Sequence, residues 1–214
     1  MRRTLFIVFV FLSLLFSCDQ SKKLPIMGPR SYEVRVENGR EITDTIYTTI
    51  PDFDFVNQDG ESFTKKDLMG KIYVADFFFT TCPSICPIMK TQMLRIHEKY
   101  KDNPKVHIVS HSIDPSHDTV EVLRDYADRL EVDTKSWTFL HGEMDDIFRI
   151  AQEGYLVSAK EDSLAPGGLL HSGAFILVDP EKRIRGYYDG TKEQDVNQLM
   201  EDMDILLEEY DAIK

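Results

Sequence analysis

Two cysteines four residues apart, Cys82 and Cys86, lie in the stretch Phe77-Phe78-Phe79-Thr80-Thr81-Cys82-Pro83-Ser84-Ile85-Cys86-Pro87. Thiols at that spacing can ligate a soft metal, exchange disulfides, or do both. The residues around them show how they are presented. Before the pair, Lys71-Ile72-Tyr73-Val74-Ala75-Asp76 is apolar and β-branched, the pattern of a buried strand. After it, Ile85, Met89, Met93, Ile96 and Tyr100 recur every three or four residues, which predicts one face of a helix. Pro87 suits a first helical turn, where the N–H it lacks would have no intrahelical partner. If that turn includes both cysteines, they project from the same side. The free N–H groups and partial positive charge of a helix start then favour thiolate over thiol. A disulfide across so short a loop removes little unfolded-state entropy, so the pair is read as functional rather than structural.

The third cysteine belongs to a different segment. Arg2 and Arg3 precede an apolar run from Leu5 to Phe16 that is too short for an ordinary membrane span. Leu14-Leu15-Phe16-Ser17-Cys18 then resembles a bacterial lipoprotein signal, in which the cysteine becomes the lipidated N-terminus; Phe16 is bulkier than the usual residue there. The expected organisation is a signal peptide over 1–17, a tether from lipidated Cys18 to residue 31, and one domain over 32–214. Such a chain is extracytoplasmic and anchored to a membrane, where disulfides persist. Asp19 after the lipidated cysteine suggests retention at the inner membrane on the periplasmic side. With 25 Lys and Arg against 37 Asp and Glu, the formal charge is −12, which argues against nucleic acid as a partner.

The domain reads as alternating elements. Tyr32–Val36 and Glu41–Ile50 flank Asn38-Gly39 and predict a β-hairpin. A second hairpin is expected across Asn57–Gly60. After the cysteine helix, residues 106–110 form a strand, and a helix capped by Asp118 runs to Leu130. Residues 137–140 are a further short strand, and 143–152 a helix. Residues 159–170, with Pro166-Gly167-Gly168, read as a loop. Residues 174–178 and 185–188 pair around Asp179-Pro180, and Val196, Leu199, Met203, Leu206 and Tyr210 mark a closing amphipathic helix. The order β-α-β-α, then β-β and a helix, predicts an α/β, thioredoxin-like fold: a central mixed β-sheet flanked by helices, with an N-terminal β-hairpin extension.

At this point the sequence resembles the Sco/SenC copper chaperones. The carriers are Phe79-Thr80-Thr81-Cys82-Pro83-Ser84-Ile85-Cys86-Pro87, Ser112-Ile113-Asp114-Pro115 with Asp118-Thr119, and His171-Ser172 before Phe175 to Asp179-Pro180. The resemblance runs from about Asp52 to the end. It implies that Cys82, Cys86 and His171 bind copper, as Cu(I) or Cu(II), on a thioredoxin-like fold. It also implies a role as a metallochaperone assembling the dinuclear copper centre of cytochrome c oxidase. The partner would be the copper-bearing subunit of that oxidase or another copper-relay protein. The chemistry agrees, since Cu(I) prefers thiolates and accepts imidazole as a third ligand. His171 begins another strand, beside a Gly-Pro loop able to carry it over the cysteines. Two features depart from the family pattern. Leu170 stands where an acidic residue often precedes the histidine, which puts the tuning of the imidazole in question. Ser84 stands where an acid is frequent between the cysteines.

Two other activities fit the same cysteines. A thiol–disulfide oxidoreductase acting on partner-protein cysteines needs only Cys82 and Cys86 as a redox-active pair. A peroxide-reducing enzyme would need an arginine-assisted pocket, and no arginine stands near Cys82 in the sequence. Other potential ligands have plainer roles. His97, His107, His111, His117 and His141 lack matched partners nearby, and Met89 and Met93 have core spacing. Asp114 reads as either a group beside the site or a loop residue. Asp76 is either a buried acid influencing the thiols or an edge-facing residue. Lys90 is expected to be exposed.

Overall fold

The computed structural model describes residues 23–212; the leader over 1–17 and Cys18 lie outside them. The central strand β5 (Ile72–Phe78) is buried at every position, as is its neighbour β6 (Val106–Ser112). They pair in parallel, and β6 pairs in parallel with β7 (Trp137–His141). Near-continuous apolar sequence is what strands covered on both faces require. On the other side of β5, β10 (Ala174–Val178) runs antiparallel and pairs with β11 (Ile184–Asp189). The predicted second hairpin, β3 (Asp54–Asn57) and β4 (Ser62–Thr64), extends the sheet beyond β7. The seven-stranded order is β11-β10-β5-β6-β7-β3-β4.

Helix α1 (Cys86–Tyr100) connects β5 to β6, and α2 (Val120–Leu130) connects β6 to β7. Because the three strands lie side by side in chain order, right-handed crossovers put both helices on one face. The closing helix α4 (Glu193–Asp211) lies against α1, where the Tyr100 hydroxyl donates to the Met200 carbonyl at 2.7 Å. Helix α3 (Met144–Arg149) continues into a π-helical turn over Ile150–Gly154. The next residue, Tyr155, packs edge-on to Phe77, whose side chain alternates with those of Asp76 and Phe78 and points to the opposite face. The sheet is thus mixed and covered on both sides, as the predicted fold class requires.

The Asn38-Gly39 hairpin forms as expected from β1 (Arg30–Glu37) and β2 (Arg40–Tyr47). Both turn residues have positive φ, +52° and +76°, the conformation a two-residue primed turn demands. Three details differ from the sequence reading. Within the stretch read as a tether, Leu24 is buried, the Met27 N–H donates to the Ile184 carbonyl at 2.8 Å, and Arg185 donates to the carbonyls of Leu24 and Pro25. Residues 159–170 are not all loop. β8 (Ala159–Glu161) and β9 (Leu169–His171) pair antiparallel around the Pro-Gly-Gly turn. Finally, the side chain capping α2 is Thr119, which accepts from the Val122 N–H, and not Asp118.

Candidate metal centre

The strand β5 ends at Phe78, and the chain reaches Cys82 through a short turn that is held from the neighbouring strand. The Thr80 N–H donates to Asp118 Oδ2 at 3.0 Å, and the Thr80 hydroxyl donates to Oδ1 of the same carboxylate. The Ser112 hydroxyl, at the end of β6, also donates to Oδ2 at 2.6 Å. Asp118 is completely buried, so it clamps the cysteine loop to the β6–α2 connection. The Cys82 N–H then donates to the Phe79 carbonyl at 3.2 Å. Helix α1 starts at Cys86 with Pro87 in its first turn and no side-chain cap. Cys82 therefore precedes the helix. Both thiols are free and buried.

The two thiols differ in acidity. Burial opposes ionisation of Cys82, but hydrogen bonds from Ser84 and Cys86 outweigh it and hold its pKa below the ordinary value. The Ser84 hydroxyl lies 3.5 Å from its sulfur. Cys86 goes the other way. Burial pushes its thiol well up, and the neighbouring Cys82 and Asp76 add to the rise against a backbone hydrogen bond at Phe79. The helix start thus favours thiolate only at the outer cysteine. Further in, loss of solvation exceeds what a helix terminus supplies.

His171 arrives from the far side of the sequence. It pairs with Ala159 in the β8–β9 ribbon, and the Ser172 N–H donates to the Ser158 carbonyl at 2.8 Å. Its Nδ1 lies 3.1 Å from the Ser172 carbonyl, and its Nε2 lies 3.3 Å from Cys86 Sγ. A carbonyl only accepts, so Nδ1 carries the proton and the Nε2 lone pair faces the sulfur. Burial holds the ring's pKa below its ordinary value, against hydrogen bonds to backbone at Ser172 and Phe77. The Phe79 ring meets the imidazole edge-on with centroids 5.9 Å apart. The backbone carbonyl does the orienting that a preceding carboxylate would do. Leu170 points to the other face of β9 and is 37% exposed, so its departure from the family pattern does not touch the ring.

The ligand atoms of Cys82, Cys86 and His171 all lie within 4.8 Å of one another. Two thiols and a neutral imidazole form a soft donor set suited to Cu(I). The other histidines do not join it. His97 meets the Ser136 hydroxyl, and His107 meets the Thr138 hydroxyl. His141 Nδ1 donates to the Asp118 carbonyl. His111 is enclosed by Phe53, Phe55, Phe77 and Tyr155. Met89 and Met93 are core residues. Asp114 accepts from the Ser116 hydroxyl at 2.7 Å and is a loop residue. Asp76 is buried, not edge-facing. Two contributors had gone unrecognised: the Ser172 carbonyl, which has no side-chain signature, and Asp118, whose place before a helix suggested a cap.

Comparison with known proteins places this geometry. The family model described as SCO1/SenC matches residues 43–208. The crystal structure of a SCO1/SenC family lipoprotein from Bacillus anthracis superposes with a TM-score of 0.68 at 31% identity, covering 74% of this chain and 95% of that one. BsSco, described as a member of the Sco family of cytochrome c oxidase assembly proteins with a disulfide switch, gives 0.66 at 28% identity, covering 75% and 93%. Arabidopsis thaliana ScoI, solved with copper bound, gives 0.62 at 28% identity, covering 75% and 99%.

Proposed function

The chain belongs to the SCO1/SenC family, and from that premise we propose that it is a copper metallochaperone. It takes copper between Cys82, Cys86 and His171 and helps assemble the dinuclear copper centre of cytochrome c oxidase. The observation that carries this reading is the convergence of the three ligand atoms within 4.8 Å, with the imidazole lone pair already turned toward sulfur. Copper in the Arabidopsis relative and oxidase assembly in the BsSco description support it. The partner is the copper-bearing subunit of the oxidase or another copper-relay protein. The leader supports a working position at a membrane. Residues 1–17 act as a lipoprotein signal, Cys18 takes the lipid, and the domain works on the extracytoplasmic face, at the inner membrane.

The test is titration of the reduced protein with Cu(I) under a competing chelator, comparing wild type with His171→Ala. One tightly held equivalent in wild type, weakened at least tenfold in the variant, is the expected result. Equal retention by both proteins would leave a dithiol without a third ligand.

A second reading draws on the unequal acidities of the cysteines. A lowered outer thiol and a raised inner thiol are an attacking and a resolving group. Thiol–disulfide exchange on partner-protein cysteines then uses the same pair, and the disulfide switch described for BsSco supports it. Reduction of a disulfide-bonded peptide by His171→Ala at the wild-type rate would favour exchange over metal transfer.

A further inference from the structure

The ribbon β1–β2 is amphipathic, and its apolar face lies open. Among the described residues its two strands pair only with each other, and a lone two-stranded ribbon has little stability of its own in water. Residues directly opposite each other across the ribbon share a face. One face carries Glu33, Arg35, Glu37, Arg40 and Asp44, with Arg35 bridging to Glu37 and Asp44. The other carries Tyr32, Val34 and Val36 opposite Thr45, Thr43 and Glu41. Tyr32, Val34 and Val36 are 63%, 63% and 71% exposed.

Both arms of the ribbon join the domain at one corner. The Met27 N–H before β1 donates to the Ile184 carbonyl, and the Ile50 N–H after β2 donates to the Lys182 carbonyl, each at 2.8 Å. Lys182 lies in the turn from β10 to β11, and Ile184 opens β11. The entering chain is locked to the same corner. Arg185, 3% exposed, donates to the Leu24 and Pro25 carbonyls and is itself held by Asp179 and Glu209. Cys18 is six residues before Leu24, so a lipid on it stands at most about 22 Å of chain from that corner. The corner is also the end of the sheet remote from the metal centre. Val178 pairs with Tyr73 near the start of β5, whereas Cys82 follows the other end of that strand.

We propose that the apolar face of β1–β2 docks on the lipid bilayer that holds the anchor. This rests on the reading of Cys18 as the lipidated residue. The contact is apolar, not ionic. The ring and hydroxyl of Tyr32 suit the boundary between acyl chains and headgroups, and Val34 and Val36 bring apolar area with no charge to desolvate. Residues 30–47 hold three arginines against four acids, so no net positive charge draws the ribbon to anionic headgroups. The anchor makes the second contact intramolecular, and a small face then suffices. With the ribbon docked, the metal centre is held at the opposite end of β5, roughly 20 Å along the strand from the anchored corner.

The test uses the lipidated full chain in phosphatidylcholine vesicles, with or without bromine on the acyl chains to quench tryptophan in contact with them. Wild type has one tryptophan, Trp137, buried at 2% exposure, and supplies the background. Val34→Trp places a probe on the apolar face and Glu33→Trp one on the charged face; both positions are exposed. Wild type should float with the vesicles. The added emission of Val34→Trp should be blue-shifted and fall by about half or more in brominated vesicles, while that of Glu33→Trp changes by less than about a fifth. Both probes responding alike would overturn the docking of this face and leave the anchor standing. A blue shift at position 34 without quenching would show a second copy covering the face and would overturn it too. Wild type that does not float would remove the anchor reading and this inference together.

Discussion

Nε2 of His171 stands 3.3 Å from Sγ of Cys86 across 85 positions of sequence. The contact is built by paired strands and not by a swinging loop. β9 is held to β8, and Ser172 to Ser158, before the chain enters β10. The third ligand is in place before any ion arrives. Less ordering is then needed on binding, which favours retention of the metal.

A carboxylate at position 170 should add little. Leu170 faces away from the ring, and Nδ1 is already engaged by the Ser172 carbonyl. Leu170→Asp is expected to keep copper affinity within about threefold of wild type, a difference of roughly 0.7 kcal/mol. Competition with a Cu(I) chelator measures it. A tenfold tightening would show that the carbonyl is an inferior orienting group.

Asp118 should govern the cysteine loop. It takes the Thr80 N–H, the Thr80 hydroxyl and the Ser112 hydroxyl from a fully buried position. Asp118→Ala leaves the buried Ser112 hydroxyl and the partly buried Thr80 donors without their acceptor, a loss on the order of 3 kcal/mol. Denaturant unfolding should register it. The milder Thr80→Val variant should remain folded, react faster with a thiol reagent at Cys82, and hold copper less tightly.

Gly167 is constrained twice. Its φ is +85°, and a Cβ there would come within 2.9 Å of the Phe79 ring, which itself meets His171 edge-on. Gly167→Ala should destabilise the domain by about 1–3 kcal/mol and weaken copper retention through displacement of Phe79. Gly168 also has positive φ, but a Cβ there would meet nothing within 4 Å. Gly168→Ala should therefore show only the backbone cost and leave copper retention unchanged. Thermal unfolding and chelator competition on the pair separate the two effects.

The buried histidines should set the acid limit of the fold. Burial depresses His107 and His111 to about 3, and each has an Nδ1 without a hydrogen-bond partner among the described residues. An unfolded histidine binds its proton near pH 6.5. A depressed folded pKa therefore contributes stability above that point, which is lost as pH falls. Between about pH 6 and 4 each should remove up to roughly 1.4 kcal/mol per pH unit. Urea unfolding at pH 7 and pH 5 tests this. His111→Phe, which suits the surrounding aromatic rings, should flatten the dependence; an unchanged slope would show that the loss arises elsewhere.

The sequence alone determined the strand-to-helix setting of Cys82 and Cys86, the alternation of the elements, and the Asn38-Gly39 hairpin. Each of these is written in neighbouring residues, through apolar period and turn chemistry. The three family motifs also pointed to the three residues whose side chains converge, His171 among them. Only the tertiary structure decided how those groups behave. The β8–β9 ribbon has only three residues on each strand, too few for an apolar period to announce it locally. The unequal acidities of the two thiols and the tautomer of His171 depend on burial and on hydrogen-bond geometry that the fold imposes on nearby groups, and the clamp at Asp118 on a partner 38 residues away. Desolvation and hydrogen bonding act through space, so no local pattern of residues encodes them.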